Sequence, residues 1–217
     1  MLKIKNNADI GSSIDINAVQ TIRRFALGTL GIIGFVVLLF TDSAWQNTAG
    51  RGMDETIESI GLVLMAIAIV GRTWCSLYIG GRKKQIIVEE GPYSICRNPL
   101  YVFSFIGAAG AGAQFGAIST AILVCAITIV VFAIVTRKEE QFLRDKFGRA
   151  YEAYCGRVPR FIPNFRLWRP VPTLEIQTSL VTRTFLDACL FLAAYPVAEA
   201  IEWLQDAHYL PVYFLLP

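Results

Sequence analysis

The sequence has little charge. Only 17% of its 217 residues are charged, whereas 54% are hydrophobic, and soluble domains usually carry about 25% charged residues. The hydrophobic residues form long blocks, which indicates an integral membrane protein rather than a soluble one. The net charge of +3 does not indicate a nucleic-acid partner, because the basic residues lie beside the hydrophobic blocks and not along one solvated face.

Histidine and paired cysteine are also scarce. The only histidine, His208, lies far from the polar motifs, so no His-based zinc site or Ser-His triad is expected in them. The five cysteines are scattered and include no C-x-x-C pair, so we expect no metal. Cys96 and Cys155 lie within the polar motifs, where a reactive thiol and an inert buried thiol are both open.

Five hydrophobic segments predict an all-α fold, a polytopic transmembrane helix bundle with about five spans. Arg72 lies near the end of the second segment, where its long side chain is expected to reach the lipid headgroups. The glycines of the third segment either allow close helix packing or make room for the flat base of a cofactor. The segments are Phe25 to Phe40, Ile57 to Ile79, Leu100 to Phe115, Ala117 to Val135 and, more weakly, Leu180 to Leu204.

The basic residues predict the orientation of these spans. Eighteen of the 20 Lys and Arg residues lie in the N-terminal tail, in the loop after the second span or after the fourth span. Because basic loops stay in the cytoplasm, the N-terminus and both polar motifs are expected there. The chain then divides into an N-terminal cytoplasmic or interfacial segment (1–22), two transmembrane helices (23–79), a core of two motifs and a helical hairpin (80–163), and a C-terminal extension with the fifth span (164–217).

Two polar segments flank the hydrophobic hairpin from Val102 to Val135. The first, Glu89 to Tyr101, reads EEGPYSICRNPLY, and the second, Arg137 to Pro163, reads RKEEQFLRDKFGRAYEAYCGRVPRFIP. If the hairpin crosses a membrane twice, both segments return to the same face and can form one site. The part from Arg137 to Tyr154 has helical periodicity among its charges and is expected to be a surface helix that leaves the membrane.

The residues of these segments predict a pocket with an anion site, a cation site and aromatic walls. Arg97 and Asn98 precede a helix expected to begin at Pro99, and free N–H groups at such a helix start favour an anion. Glu139 and Glu140 favour a cation, although the basic pair immediately before them could neutralise them instead. A zwitterionic amino-acid group carrying a purine fits such a pocket. The tyrosines available for its walls are Tyr93, Tyr101, Tyr151 and Tyr154.

Both motifs resemble those of a known protein family. GPYSICRNPLY resembles the G-P-Y-x-x-x-R-[HN]-P-x-Y motif of the isoprenylcysteine carboxyl methyltransferases and their bacterial relatives. EEQFLRDKFGRAYEAYCGRVPRFIP is similar to the second motif of that family, and the phospholipid methyltransferases share the layout. The resemblance implies a membrane-embedded methyltransferase with a cytoplasmic cofactor-binding cap for S-adenosylmethionine and a lipidic or lipidated methyl acceptor. We expect it in the inner membrane of a bacterium.

The resemblance also implies roles for individual residues. Glu139 and Glu140 would hold the α-amino group of S-adenosylmethionine. Arg157 and Glu140 are the expected catalytic residues, and Arg157 matches a family arginine near the cofactor and the acceptor's carboxylate. Asn98 stands where many eukaryotic members have histidine, and its amide can still hydrogen-bond the cofactor. The implied cofactor-binding residues are Tyr93, Arg97, Asn98, Pro99, Tyr101, Glu139, Glu140 and Tyr151.

The chemistry of methyl transfer bears on the acceptor. In-line displacement at a sulfonium requires alignment and exclusion of water. An anionic acceptor needs no base, whereas an amine must first lose a proton. Because no histidine lies near the motifs, we favour an anionic acceptor, although a glutamate or tyrosine could accept a proton. A phospholipid N-methyltransferase and a non-catalytic scaffold remain alternatives. A third is an NADPH-dependent reductase, since YEAYCGRVPRFIP is also similar to a segment of the sterol Δ14-reductases.

Overall fold

The computed structural model describes residues 28–29, 31, 34, 36, 39–43, 52–82 and 85–217. The predicted N-terminal segment, residues 1–22, lies outside the described residues, as does most of the predicted first span from Phe25 to Phe40. Three of the described helical stretches are long and apolar enough to cross a membrane. The prediction of an all-α membrane helix bundle is therefore confirmed.

The described helices pack around the third predicted span. They are α1 (Met53–Ile79), α2 (Pro92–Ile95), α3 (Pro99–Ala113), α4 (Ile118–Phe147), α5 (Arg149–Arg157), α6 (Thr178–Cys189) and α7 (Ala194–Asp206), with 3₁₀ turns at Phe165–Leu167 and Leu190–Ala193. Two short strands, β1 (Thr41–Ser43) and β2 (Phe214–Leu216), pair in parallel. Helix α3 packs against α1 and α4, and α1 also packs against α6.

Helix α3 is shorter than the three stretches that are long enough to cross a membrane. Its 15 residues rise about 22 Å, less than the bilayer core of about 30 Å. The long candidates are α1, α4 and the combined stretch Thr178–Asp206, which contains α6 and α7. That stretch is interrupted by the 3₁₀ turn at Leu190–Ala193, just before Pro196, which has no N–H to continue a regular helix.

Glycine allows α3 to approach its neighbours closely. A Cβ atom on Gly110 would lie 2.6 Å from the carbonyl oxygen of Gly61 in α1, and one on Gly112 would lie 2.7 Å from the carbonyl oxygen of Thr120 in α4. A Cβ atom on Gly107 would likewise lie 2.6 Å from the ring of Phe191. Of the two alternatives left open by the sequence, these contacts favour helix packing over space for a cofactor.

The fourth predicted span and the first part of the second motif lie on one helix, and the surface helix predicted from Arg137 to Tyr154 is interrupted at Gly148. Helix α4 continues without interruption through Val135 and ends only at Phe147, so the second motif begins inside the transmembrane helix. The sequence from 118 to 147 contains neither glycine nor proline. The first break is Gly148, whose φ of 53° lies in the left-handed region that favours glycine, and α5 begins directly after it.

The bundle has two distinct ends. At the hairpin end, Ser43 Oγ donates to the carbonyl of Gly116 at 2.9 Å, and β2 pairs with β1 beside it. The side-chain amide of Gln205 also donates to the carbonyls of Leu39 and Thr41, 166 and 164 residues earlier in the chain. Both polar motifs lie at the opposite end, which we call the motif end. The side of the membrane that each end faces stays a prediction.

Arg72 does not extend toward the lipid headgroups. Its guanidinium hydrogen-bonds Ser104 Oγ in α3 and lies 5.9 Å from the centre of the Phe191 ring. The side chain thus joins α1 to α3 and to the 3₁₀ turn within the bundle. The predicted snorkelling is wrong because Ser104 offers a closer polar partner than the membrane surface does.

Gly110→Ala tests the close packing of α1 and α3. Alanine favours an isolated helix by about 1 kcal/mol, but the added Cβ would clash with the Gly61 backbone, and such overpacking costs about 1–3 kcal/mol. We expect a lower apparent Tm in detergent, measured by the exposure of buried cysteines to a thiol dye. Gly156→Ala is the matched control, because nothing lies within 4 Å of its Cβ position. A Gly110→Ala protein that unfolds at or above the wild-type temperature would contradict this packing.

Candidate active site at the motif end

The two polar motifs enclose a single cavity at the motif end, which we call the motif cavity. Its volume is about 130 Å³. The apolar part of the wall comes from the end of α1, the segment 86–88 and the second motif. The lining residues are Ile79, Ile86, Ile87, Val88, Tyr93, Arg97, Asn98, Leu100, Tyr101, Glu139, Glu140, Phe142, Leu143, Tyr151 and Tyr154. The structure thus brings residues of both motifs together.

A tight turn and a short helix position the first motif. Gly91 has a φ of 54°, and the ring of Tyr78 lies so close that a Cβ atom there would be 2.2 Å from it. Helix α2 follows for one turn, and Pro99 then starts α3, where its missing N–H is not needed. Asn98 does not cap α3 with its side chain. Its Nδ2 instead donates to the carbonyl of Arg160 at 3.3 Å and to Glu140 Oε1 at 3.4 Å.

Glu140 is a buried carboxylate surrounded by guanidinium groups. It is 1% exposed. Arg160 binds it through two contacts, Nη2 to Oε2 at 2.6 Å and Nε to Oε1 at 3.1 Å. Arg97 approaches Oε1 at 3.4 Å, and Arg144 approaches Oε2 at 3.9 Å. The residues that neutralise Glu140 are therefore these three arginines.

The cluster around Glu140 has more positive than negative charge. Three guanidinium groups share this one carboxylate, and Nε of Arg97 is buried without a hydrogen-bond partner. A buried polar atom without a partner is costly, and an additional acceptor would remove that cost. This side of the cavity can therefore bind a further anionic group.

Glu139 is held by a different kind of partner. The hydroxyl of Tyr101 donates to its Oε2 at 2.8 Å, and the Tyr101 ring packs on Phe132 with ring centroids 4.6 Å apart. Adjacent residues on a helix point about 100° apart, which separates the two carboxylates. Glu139 thus presents a buried acceptor in the motif cavity while the guanidinium groups bind Glu140.

Three tyrosines of the cavity are held as neutral phenols. Burial raises the pKa of Tyr93 well above its ordinary value and also raises the pKa of Tyr151 and of Tyr154. The Tyr154 hydroxyl donates to the backbone carbonyl of Tyr93 at 2.8 Å, tying α5 to α2. Because a phenol accepts a proton readily only after ionisation, these tyrosines form walls and are poor bases.

Two residues predicted for the pocket lie outside its lining. Pro99 starts α3 but does not line the cavity. Arg157 faces away and pairs with Glu89, Nη2 to Oε2, at 2.6 Å. Arg160 is the arginine that contacts Glu140, and the sequence analysis missed it. Its signal in the sequence is its place directly after Pro159, where the chain leaves α5 and turns back toward α4.

The sulfur atoms of the two motif cysteines contact polar groups of the protein. Cys96 is fully buried with its sulfur 3.4 Å from the carbonyls of Arg160 and of Phe161, and burial raises the pKa of its thiol to about 11. This favours the inert thiol for Cys96. Cys155 accepts a hydrogen bond from Arg97 Nη1 at 2.8 Å. The described part of the chain contains no group of three or more His, Cys, Asp or Glu residues that could hold a metal ion.

Glu140→Gln tests whether this carboxylate holds the motif end together. Removing one partner of a buried ion pair is strongly destabilising, because the remaining charges lose their compensation. Since Arg144 and Arg160 are partly exposed, we expect a loss of about 2–3 kcal/mol, seen as a lower apparent Tm without ligand. Glu175→Gln, in an exposed loop, is the control. An equal apparent Tm for the two variants would show that the ion pairs of Glu140 add nothing to stability.

Comparison with known proteins gives a family model and several similar proteins. The family model described as phospholipid methyltransferase matches residues 57–150. The nickel-cobalt-cadmium resistance protein NccN of Alcaligenes xylosoxydans xylosoxydans is 33% identical over 197 residues, 89% of this chain and 91% of that protein. The cobalt-zinc-cadmium resistance protein CzcN of Cupriavidus metallidurans is 36% identical over 179 residues, 81% of each chain.

Isoprenylcysteine methyltransferases are more distant relatives. The protein-S-isoprenylcysteine O-methyltransferase B of Arabidopsis thaliana is 25% identical over 166 residues, 70% of this chain and 80% of that protein. No solved structure gives a significant match. The shared motif layout, the apolar helices and these similarities lead to one assignment. The chain belongs to the same family as NccN and CzcN, its residues 57–150 match the phospholipid methyltransferase model, and it is similar to the isoprenylcysteine methyltransferases.

Proposed function

We propose that the chain is an S-adenosylmethionine-dependent methyltransferase that acts on a lipidic or lipid-linked acceptor, with an anionic acceptor group favoured. The observation that carries the proposal is the motif cavity, in which buried acidic and basic side chains from two distant motifs meet. S-adenosylmethionine supplies an electrophilic methyl group on a sulfonium. The motif end would face the cytoplasm, where this cofactor occurs, in the inner membrane of a bacterium.

The residues of the cavity fit the amino-acid portion of the cofactor. The surplus guanidinium charge at Arg97 and Arg160, with Nε of Arg97 unpartnered, suits the cofactor's carboxylate. Glu139 supplies a carboxylate for its ammonium group, Glu140 contributes by holding the arginines in place, and Asn98 adds an amide beside Glu140. Tyr93 and Tyr151 supply rings that can border a flat base. Pro99 contributes through the start of α3 and not by contact.

The surroundings of the site favour an acceptor that needs no base. Burial keeps Tyr93, Tyr151 and Tyr154 as phenols, and Glu140 is occupied by arginines. Glu139 is the remaining carboxylate that could take a proton from an amine. A carboxylate or phosphate oxygen would instead attack the methyl carbon directly, and the apolar side chains of Ile86 to Val88 line the cavity where water would otherwise compete.

Methylation of an amine is the second candidate, and the match to the phospholipid methyltransferase model favours it. The chemical stability of the product separates the two. We expect the purified chain to transfer a labelled methyl group to an oxygen of a molecule in a total membrane extract. Mild base then releases the label as methanol from a carboxylate ester, whereas a phosphate ester keeps it on a phosphorus-containing product that has no methylated amine. Label that survives base treatment and remains with an amine would reverse the choice of acceptor.

Glu139→Gln tests the cofactor proposal. A hydrogen bond from a charged group contributes about 1.5–3 kcal/mol, so the variant should bind S-adenosylmethionine at least tenfold more weakly, measured by equilibrium dialysis in detergent. Tyr101→Phe should weaken binding less, because it removes only the hydroxyl that orients Glu139. Glu175→Gln serves again as the matched control. Tight binding of NADPH by the wild-type protein, with none of S-adenosylmethionine, would instead identify a reductase.

The Glu139→Gln variant also tests whether methyl transfer is linked to tolerance of metal ions. Two bacterial relatives are named for resistance to cobalt and cadmium, and one each for nickel and zinc, so we propose that methylation by this chain supports tolerance to such ions. A strain carrying Glu139→Gln should then grow as poorly in cobalt or cadmium as a strain without the protein. Wild-type growth of that strain, with the variant expressed and unable to bind cofactor, would separate tolerance from methyl transfer.

A further inference from the structure

A second depression lies beside the motif cavity, on the other side of Arg97. We call it the loop groove. It has a volume of about 690 Å³ and is formed by the end of α5 and the segment that follows. Residues of its lining that matter here are Arg97, Arg157, Ile162, Phe165 and Arg166. Arg97 belongs to both linings, so the two depressions meet at this side chain.

The loop groove is positively charged. Three arginines line it and no carboxylate does. Arg157 is paired with Glu89 at 2.6 Å, and Arg97 shares Glu140 with other arginines. Arg166 is exposed, and none of the ion pairs in the described part of the chain includes it. The groove therefore complements an anionic group, which arginine binds through paired N–H donors.

Aromatic contacts tie the groove to the membrane helices. The ring of Phe161 packs edge-on against Phe105 of α3, with centroids 5.6 Å apart. Trp168 stacks on Trp74 near the end of α1, with centroids 5.8 Å apart and planes at 21°. Tryptophan at the ends of spans marks the depth of the lipid headgroups. The segment between these rings, which forms the groove, thus lies at headgroup depth.

The rim of the loop groove is apolar. Ile162 is 82% exposed and Phe165 is 75% exposed, and both line the groove beside Arg166. Large apolar side chains next to guanidinium groups at this depth suit an amphiphile, with hydrocarbon against the rim and a negative headgroup against the arginines. A soluble anion would make no use of the apolar rim.

We propose that the loop groove binds the anionic headgroup of the lipid acceptor; this rests on the proposed methyltransferase function. Arg97 then lies between the acceptor's headgroup and the cofactor-binding residues. An acceptor oxygen attacks the methyl carbon, the new O–C bond forms as the S–C bond breaks, and the sulfur leaves as a neutral thioether with the electron pair. The anionic oxygen loses its charge on methylation, so the product binds the arginines less well and is released.

The test uses the full chain in detergent with a defined probe, dioctanoyl phosphatidic acid, and dioctanoylglycerol as its neutral counterpart. We expect native mass spectrometry to show retention of the phosphatidic acid over the neutral lipid. Arg166→Gln should reduce retention about fivefold, because a charge-assisted contact at a partly exposed site is lost. Phe165→Ala should also reduce retention of the phosphatidic acid, because it removes an apolar side chain from the rim of the groove. Arg149→Gln, an exposed arginine outside the groove, should retain the probe like the wild type.

A kinetic readout separates the acceptor from any other bound lipid. Arg166→Gln should raise the concentration of membrane extract needed for half-maximal labelling about fivefold, with the KM for S-adenosylmethionine unchanged. Equal retention of both lipids, or a variant that loses the probe but labels extract like the wild type, overturns the proposal. Failure of the methyltransferase function itself would look different, since the wild-type protein would then bind no S-adenosylmethionine while probe retention could still be measured.

Discussion

The motif end depends on one buried carboxylate shared by arginines from separate parts of the chain. Arg97 precedes α3, Arg144 lies on α4, and Arg160 follows α5, and all three reach Glu140. Without that negative charge the guanidinium groups would repel one another in a partly dry site. The contact thus links the first motif, the long helix and the returning segment, and it fixes the cavity between them.

The same interaction explains why the transmembrane helix extends into the second motif. Glu139 and Glu140 are held by Tyr101 and by Arg160, so both can remain inside a continuous α4 that ends only at Gly148. The hairpin from α3 to α4 then acts as a rigid support, packed through Gly110 and Gly112 without space for side chains. Functional side chains placed on such helices are held more accurately than side chains on loops.

The sequence allowed much of this arrangement to be predicted, but not all of it. Apolar blocks located the helices, Pro99 marked the start of α3, and the motifs identified eight residues that do line the cavity. The sequence did not show that Arg160 contacts Glu140 while Arg157 pairs with Glu89, because the chain leaves its helix at Val158 and its new direction depends on tertiary contacts. The position of the Arg72 side chain inside the bundle was likewise not predictable, because it depends on a hydrogen bond to Ser104, which is remote in sequence.

The ties at the hairpin end have a consequence for biogenesis. Strand β1 and the segment before it receive their partners, β2 and Gln205, from parts of the chain synthesised more than 160 residues later. Contacts of such high sequence separation form late. During insertion by the ribosome-bound translocation machinery, the motif end can therefore assemble while the opposite end is still open, and closure of the protein follows the emergence of its final strand.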